Sequence, residues 1–108
     1  MKRLTLTAVA VALALPSVAA ADIRIDARQA NQQRQIDAGK RSGKLTVRER
    51  NVLTNEQRMI KRQEARYERS GGIDAGERRA LNRMLDRSQA HIVRLKNNRE
   101  RTRGSLDI

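Results

Sequence analysis

The chain has 108 residues, of which 24 are Lys or Arg and 12 are Asp or Glu, giving a formal net charge of +12; it has no cysteine, no Phe, no Trp and a single Tyr. Disulfides and thiolate chemistry are therefore excluded, and one aromatic residue argues against both a large rigid core and a base-stacking nucleic-acid platform. The excess of positive charge points instead to anionic partners.

The first residues, Met1, Lys2 and Arg3, lead into a weakly polar to apolar run from Leu4 to Leu15, followed by the helix breaker Pro16. Small residues continue to Ala21, and charged and amide residues take over at Asp22. This is the layout of a cleavable signal peptide over residues 1–21, with the cut after Ala21. The 12-residue apolar run falls short of the ~20 residues that span a bilayer, so the processed chain is expected to cross no membrane. With no cysteine at the cut there is no lipid attachment, and the product is expected in the periplasm or secreted. Its 87 residues keep 22 basic and 12 acidic groups.

Beyond the signal peptide the pattern is all-α, a three-helix arrangement centred on an antiparallel helical hairpin. A first helix is expected over 24–39, within a segment 22–40. Its apolar line holds Ile25 and Ile36 but is otherwise filled by Gln29 and Gln32, which predicts weak packing, as a loose lid. Residues 41–101 contain an internal repeat. The segment 41–53 aligns without gaps on 69–81, with six of 13 positions identical and a period of 28 residues. In each copy a cap residue precedes a glutamate by three, Thr46 with Glu49 and Asp74 with Glu77, which is the signature of a capping box. Gly43 and Gly71, with Gly39 and Gly72 nearby, are suited to ending the preceding helix at positive φ. A second helix is thus expected over 46–69 and a third over 75–101, with a disordered tail at 102–108. The third carries the clearest stripe, Leu81, Met84, Leu85, Ser88, Ile92 and Leu95; the second offers Val52, Leu53, Met59, Ile60 and Tyr67. A short loop makes these two antiparallel neighbours, and so small a core leaves room for a homo-oligomer.

The repeat core, Gly-x-Leu/Ile-Thr/Asp-x-x-Glu, resembles the second half of an EF-hand calcium loop. That resemblance implies Glu68, Asp74 and Glu77 as an alternative metal set in the second copy. The first-half ligand positions hold Ala38, Lys40 and Ser42 in one copy and Arg66, Glu68 and Ser70 in the other, so neither loop opens with an aspartate. Helix capping accounts for the remaining residues, which makes the repeat an EF-hand-like scaffold without a required cofactor. Leu53-Thr54-Asn55-Glu56-Gln57 is similar to the L-T-x-x-Q signature of helical periplasmic stress chaperones and metal-stress adaptors, and implies an envelope-stress or metal-responsive role as the alternative function. The repeat extended by Arg50 or Arg78 resembles that of uncharacterised small exported bacterial helical proteins, a likeness that implies no activity.

Arginine supplies 18 of the 22 basic residues after the cut. Arg58, Arg62 and Arg66 stand at i, i+4 and i+8 on the second helix, and Arg79, Arg83 and Arg87 repeat that spacing on the third. Each like-charge i,i+4 pair costs a helix about 0.2–0.5 kcal/mol, a strain that an anionic surface relieves. Guanidinium forks suit phosphate and carboxylate, so these six arginines are the expected partner-binding residues, toward an anionic envelope component or an acidic protein. Export and the lack of stacking aromatics argue against nucleic acid. Enzymatic chemistry finds little support: His91 is the one histidine, and neither a pocket nor an acidic orienter is implied for it beside Ser88.

Overall fold

The computed structural model describes residues 18–106, with side chains described over 22–98. The expected signal peptide lies outside the described residues up to position 17, and so do residues 107–108. Three helices make up the fold: α1 Val18–Ser42, α2 Val47–Arg69 and α3 Ala75–Leu106, with no strand among the described residues. Both outer boundaries run past the expected ones. Helix α1 extends to Ser42, and α3 continues to Leu106, so positions 102–106 of the expected disordered tail are helical.

Local chemistry sets the two restarts. At α2 the Thr46 side chain accepts from Glu49 N at 3.0 Å, while Glu49 Oε1 accepts from Thr46 N at 2.8 Å. Asp74 and Glu77 repeat the exchange at α3, at 2.7 and 3.0 Å. Each box satisfies backbone N–H groups that a helix start leaves without an intrahelical partner. The preceding chain turns through positive φ at Gly43, Gly71 and Gly72. Gly39 does something different. It lies inside α1, where a Cβ would approach Leu45 Cδ1 to 2.7 Å, so its bare backbone lets the loop leucine pack onto the helix.

The helices run up, down and up. Gln33 meets Thr54 and Gln29 meets Glu64, which makes α1 and α2 antiparallel. Arg28 meets Asn82 and Gln35 meets Gln89, so α1 and α3 run parallel. In each helix the buried positions alternate three and four residues apart: 25, 29, 32, 36 in α1, 53, 57, 60, 64 in α2, and 81, 85, 88, 92 in α3. The four buried positions of α1, α2 and α3 thus follow one another at a constant interval of 28 residues.

The core has two apolar halves. Ile25, Ile60, Ile73, Leu81 and Leu85 pack with Tyr67 and Met84 at one end, and Ile36, Leu45, Leu53 and Ile92 with Leu95 at the other. Between them lies an amide layer. Gln32 Nε2 donates to the Leu85 carbonyl at 2.9 Å, and Gln57 Nε2 donates to Gln32 Oε1 at 2.7 Å and to Ser88 Oγ at 2.9 Å.

This layer corrects the expectation of a weakly packed first helix. A glutamine on a core line weakens docking when its amide is left unpaired, but here both amide nitrogens and Gln32 Oε1 find partners on other helices, and only the buried Gln57 Oε1 of the layer has none. Gln32 is only 2% exposed. At the rim, Gln35 and Gln89 exchange amide hydrogen bonds, and Arg28 donates to Asn82 Oδ1 at 2.9 Å and to Asp86 at 2.7 Å. Helix α1 is therefore a full third of the bundle, joined by Ile25 and Ile36 in the apolar clusters as well as by side-chain hydrogen bonds. Conversely, Val52 and Met59, expected among the apolar residues of α2, are 44% and 59% exposed.

Candidate functional site

All six arginines of the expected rows are exposed. The contacts of Gln57 with Ser88 and of Glu56 with His91 fix the register of α2 against α3. In that register Arg58 stands level with Arg87, Arg62 with Arg83 and Arg66 with Arg79, because two antiparallel helices with the same four-residue spacing climb in step. The three levels span about 12 Å along the axis at 1.5 Å per residue.

The rows do not form one flat face. Arg58 turns toward the α1/α2 groove, which it lines with Lys61, Asp26, Glu64 and Glu68. Arg79 lines a hollow between α1 and α3 together with Arg24, Arg28 and Arg78. Arg83 and Arg87 share a shallow depression with Asp86, and Arg87 also edges the α2/α3 groove with Arg94. The positive surface consequently wraps around the bundle.

Where the acids go decides what this surface can do. Glu49, Asp74 and Glu77 cap helices. Glu56 pairs with His91, Asp86 pairs with Arg28, and Glu64 is buried in the α1/α2 seam. Among the described residues, none of the six row arginines forms an ion pair with a carboxylate. Of the described carboxylates of α2 and α3, Glu49, Glu56, Glu64, Glu77 and Asp86 are committed to capping, packing and inter-helix contacts, while Glu68 stands exposed in the α1/α2 groove that Arg58 also lines.

Glu64 is the group whose titration is most altered. It is 6% exposed, and its carboxyl is pushed up from 4.5 to about 7. Burial is the main cause, followed by a hydrogen bond with Asp26; the hydrogen bond from Gln29 acts the other way, and the charges of Asp26 and Glu68 add to the rise. Gln29 Nε2 donates to Oε1 at 3.3 Å, while Oε2 is sealed from solvent and meets no donor. That geometry suits a protonated Glu64 sharing its hydrogen with Asp26.

The remaining candidates separate in space. Asp74 and Glu77 spend oxygens on backbone N–H groups, whereas Glu68 lines the α1/α2 groove, and among the described residues no three His, Cys, Asp or Glu side chains stand close enough to hold a metal ion. In the L-T-x-x-Q segment Leu53 and Gln57 are buried, and Thr54 accepts from Gln33 at 3.4 Å. His91 does have an acidic orienter, contrary to expectation: its Nδ1 lies 2.5 Å from Glu56 Oε2. It also lies in a groove, again unlike the sequence reading. Ser88, however, is 2% exposed and accepts from Gln57, so its spacing from His91 yields no accessible nucleophile–base pair.

Sequence reasoning missed Glu56, Met59, Met84 and Arg94 as neighbours of His91 in that groove. Their signal is their place beside the heptad core positions, where side chains border a seam without filling it. No known family model, curated protein or solved structure matches the chain.

Proposed function

We propose that this chain is an exported, non-enzymatic interaction protein whose arginine rows on α2 and α3 bind an anionic envelope component or an acidic partner. The observation that carries the reading is the set of six exposed guanidinium groups that, among the described residues, pair with no carboxylate, on helices most of whose described acids cap, pack or bridge helices. Export is supported by the leader pattern ending at Ala21. A cut there leaves every described buried side chain, from Ile25 onward, in the product.

The test is a triple substitution, Arg58→Gln, Arg62→Gln and Arg66→Gln, with binding to anionic phospholipid vesicles followed as salt is raised. A basic residue near such a surface contributes about 1 kcal/mol, so roughly a hundredfold weaker binding and a shallower salt dependence are expected, with helicity unchanged. Unchanged binding removes the rows from the assignment.

A further inference from the structure

The seam between α2 and α3 is left open on one side. Met59 is 59% exposed and Met84 is partly buried across from it. With Ile60 they line a groove that also takes in Glu56, Arg87, His91 and Arg94. The register set by Gln57 with Ser88 and by Glu56 with His91 orders these residues along the axis. Met84, Ile60 and Met59 come at one end, Arg87 next, then Glu56 and His91, and Arg94 at the far end. At 1.5 Å per residue the groove runs about 15 Å. One end is apolar, and beyond it Arg87 and Arg94 flank the Glu56–His91 pair.

We propose that this groove binds a fatty acid, its alkyl chain on Met59, Ile60 and Met84 and its carboxylate held by Arg94 and Arg87. The inference rests on the anionic-partner reading and narrows it, at this seam, to a single-chain carboxylate. Methionine floors adapt to flexible alkyl chains, and a guanidinium fork matches a carboxylate bidentately. Glu56, the acid in the lining, does not oppose the head group freely, because its carboxylate is engaged by His91 Nδ1. A second copy of the chain, itself rich in arginine, matches these two guanidinium groups less well than a small carboxylate does.

The experiment is calorimetric titration of laurate, kept below the concentration at which it forms micelles, into the protein recovered from cells expressing the full chain. Dodecyltrimethylammonium serves as a probe with the same tail and the opposite head. Saturable binding of one laurate per chain is expected, with no binding of the cationic probe. Arg94→Gln and Met59→Gln, both at exposed positions, are each expected to weaken laurate by about tenfold, 1.4 kcal/mol, while anionic-vesicle binding through the rows is unchanged. Absence of laurate binding, or equal binding by both variants, overturns the fatty-acid site and leaves the row assignment standing. A dimer that laurate does not dissociate assigns the groove to a second copy and overturns it as well. If laurate binds as expected but the helix-two triple substitution leaves vesicle binding unchanged, the row assignment alone falls.

Discussion

Helix α2 faces two seams that mix polar and apolar contacts in different proportions. Toward α1 it presents Thr54, Gln57 and Glu64, which meet Gln33, Gln32 and Gln29 through side-chain hydrogen bonds. Toward α3 it presents Gln57 to Ser88, Glu56 to His91 and Met59 to an open groove edged by arginine, while Leu53 and Ile60 enter the apolar core shared by all three helices. Hydrogen bonds are directional and fix the register of α2 on both neighbours, whereas apolar surface tolerates repacking. The two seams differ in what they leave at their edges: mainly polar side chains beside α1, and methionine surface with Arg87 and Arg94 beside α3.

The comparison breaks most visibly in the apolar core. Leu85 is fully buried, and Leu85→Ala should cost about 2–5 kcal/mol of stability, read from urea unfolding. A smaller and pH-dependent effect belongs to the α1/α2 seam. Because the Glu64 carboxyl titrates near 7 in the folded chain against 4.5 ordinarily, the folded state holds an extra proton between those values. Its stabilising contribution is therefore complete below about pH 4.5, declines as the pH rises toward 7, and is gone above that. Glu64→Gln keeps a donor for Asp26 and an acceptor for Gln29 while removing the charge. At about 1.4 kcal/mol per pK unit, the variant should exceed the parent by on the order of 1–3 kcal/mol at pH 8 and lose that part of the pH dependence, as measured by melting at pH 5 and pH 8. If parent and variant melt alike at pH 8, the shared proton is not there. Smallest are the caps: Thr46→Ala and Asp74→Ala should each cost about 0.5–2 kcal/mol, seen as faster amide exchange in the first turn of α2 or α3 respectively.

The helix starts were legible because a capping box is a local device, complete within four residues. Thr46 with Glu49 and Asp74 with Glu77 announce α2 and α3 without reference to the rest of the chain. Leu53, Leu81, Leu85 and Ile92 were legible as core for a similar reason, since apolar periodicity along one helix already defines the face that must be covered. The arginine rows could be read as rows, but not as a surface that wraps around the bundle, because the direction each one faces depends on which helices flank it.

The amide layer was illegible. Gln29, Gln32 and Gln57 look in sequence like interruptions of apolar lines, and become core residues only when three helices bring the amides within reach of one another. The same applies to Glu56 and His91, 35 positions apart and joined solely by the packing of α2 on α3.

By itself, then, the sequence determined the all-α class, the two restarts and the excess of arginine, all of which depend on neighbours a few residues away or on composition. Tertiary structure alone decided that α1 is a full member of the bundle, that Glu64 is driven toward neutrality and that the α2/α3 seam stays open. Each of these depends on which polar groups meet across helices and on how deeply they are withdrawn from water, and no spacing along a single chain records either.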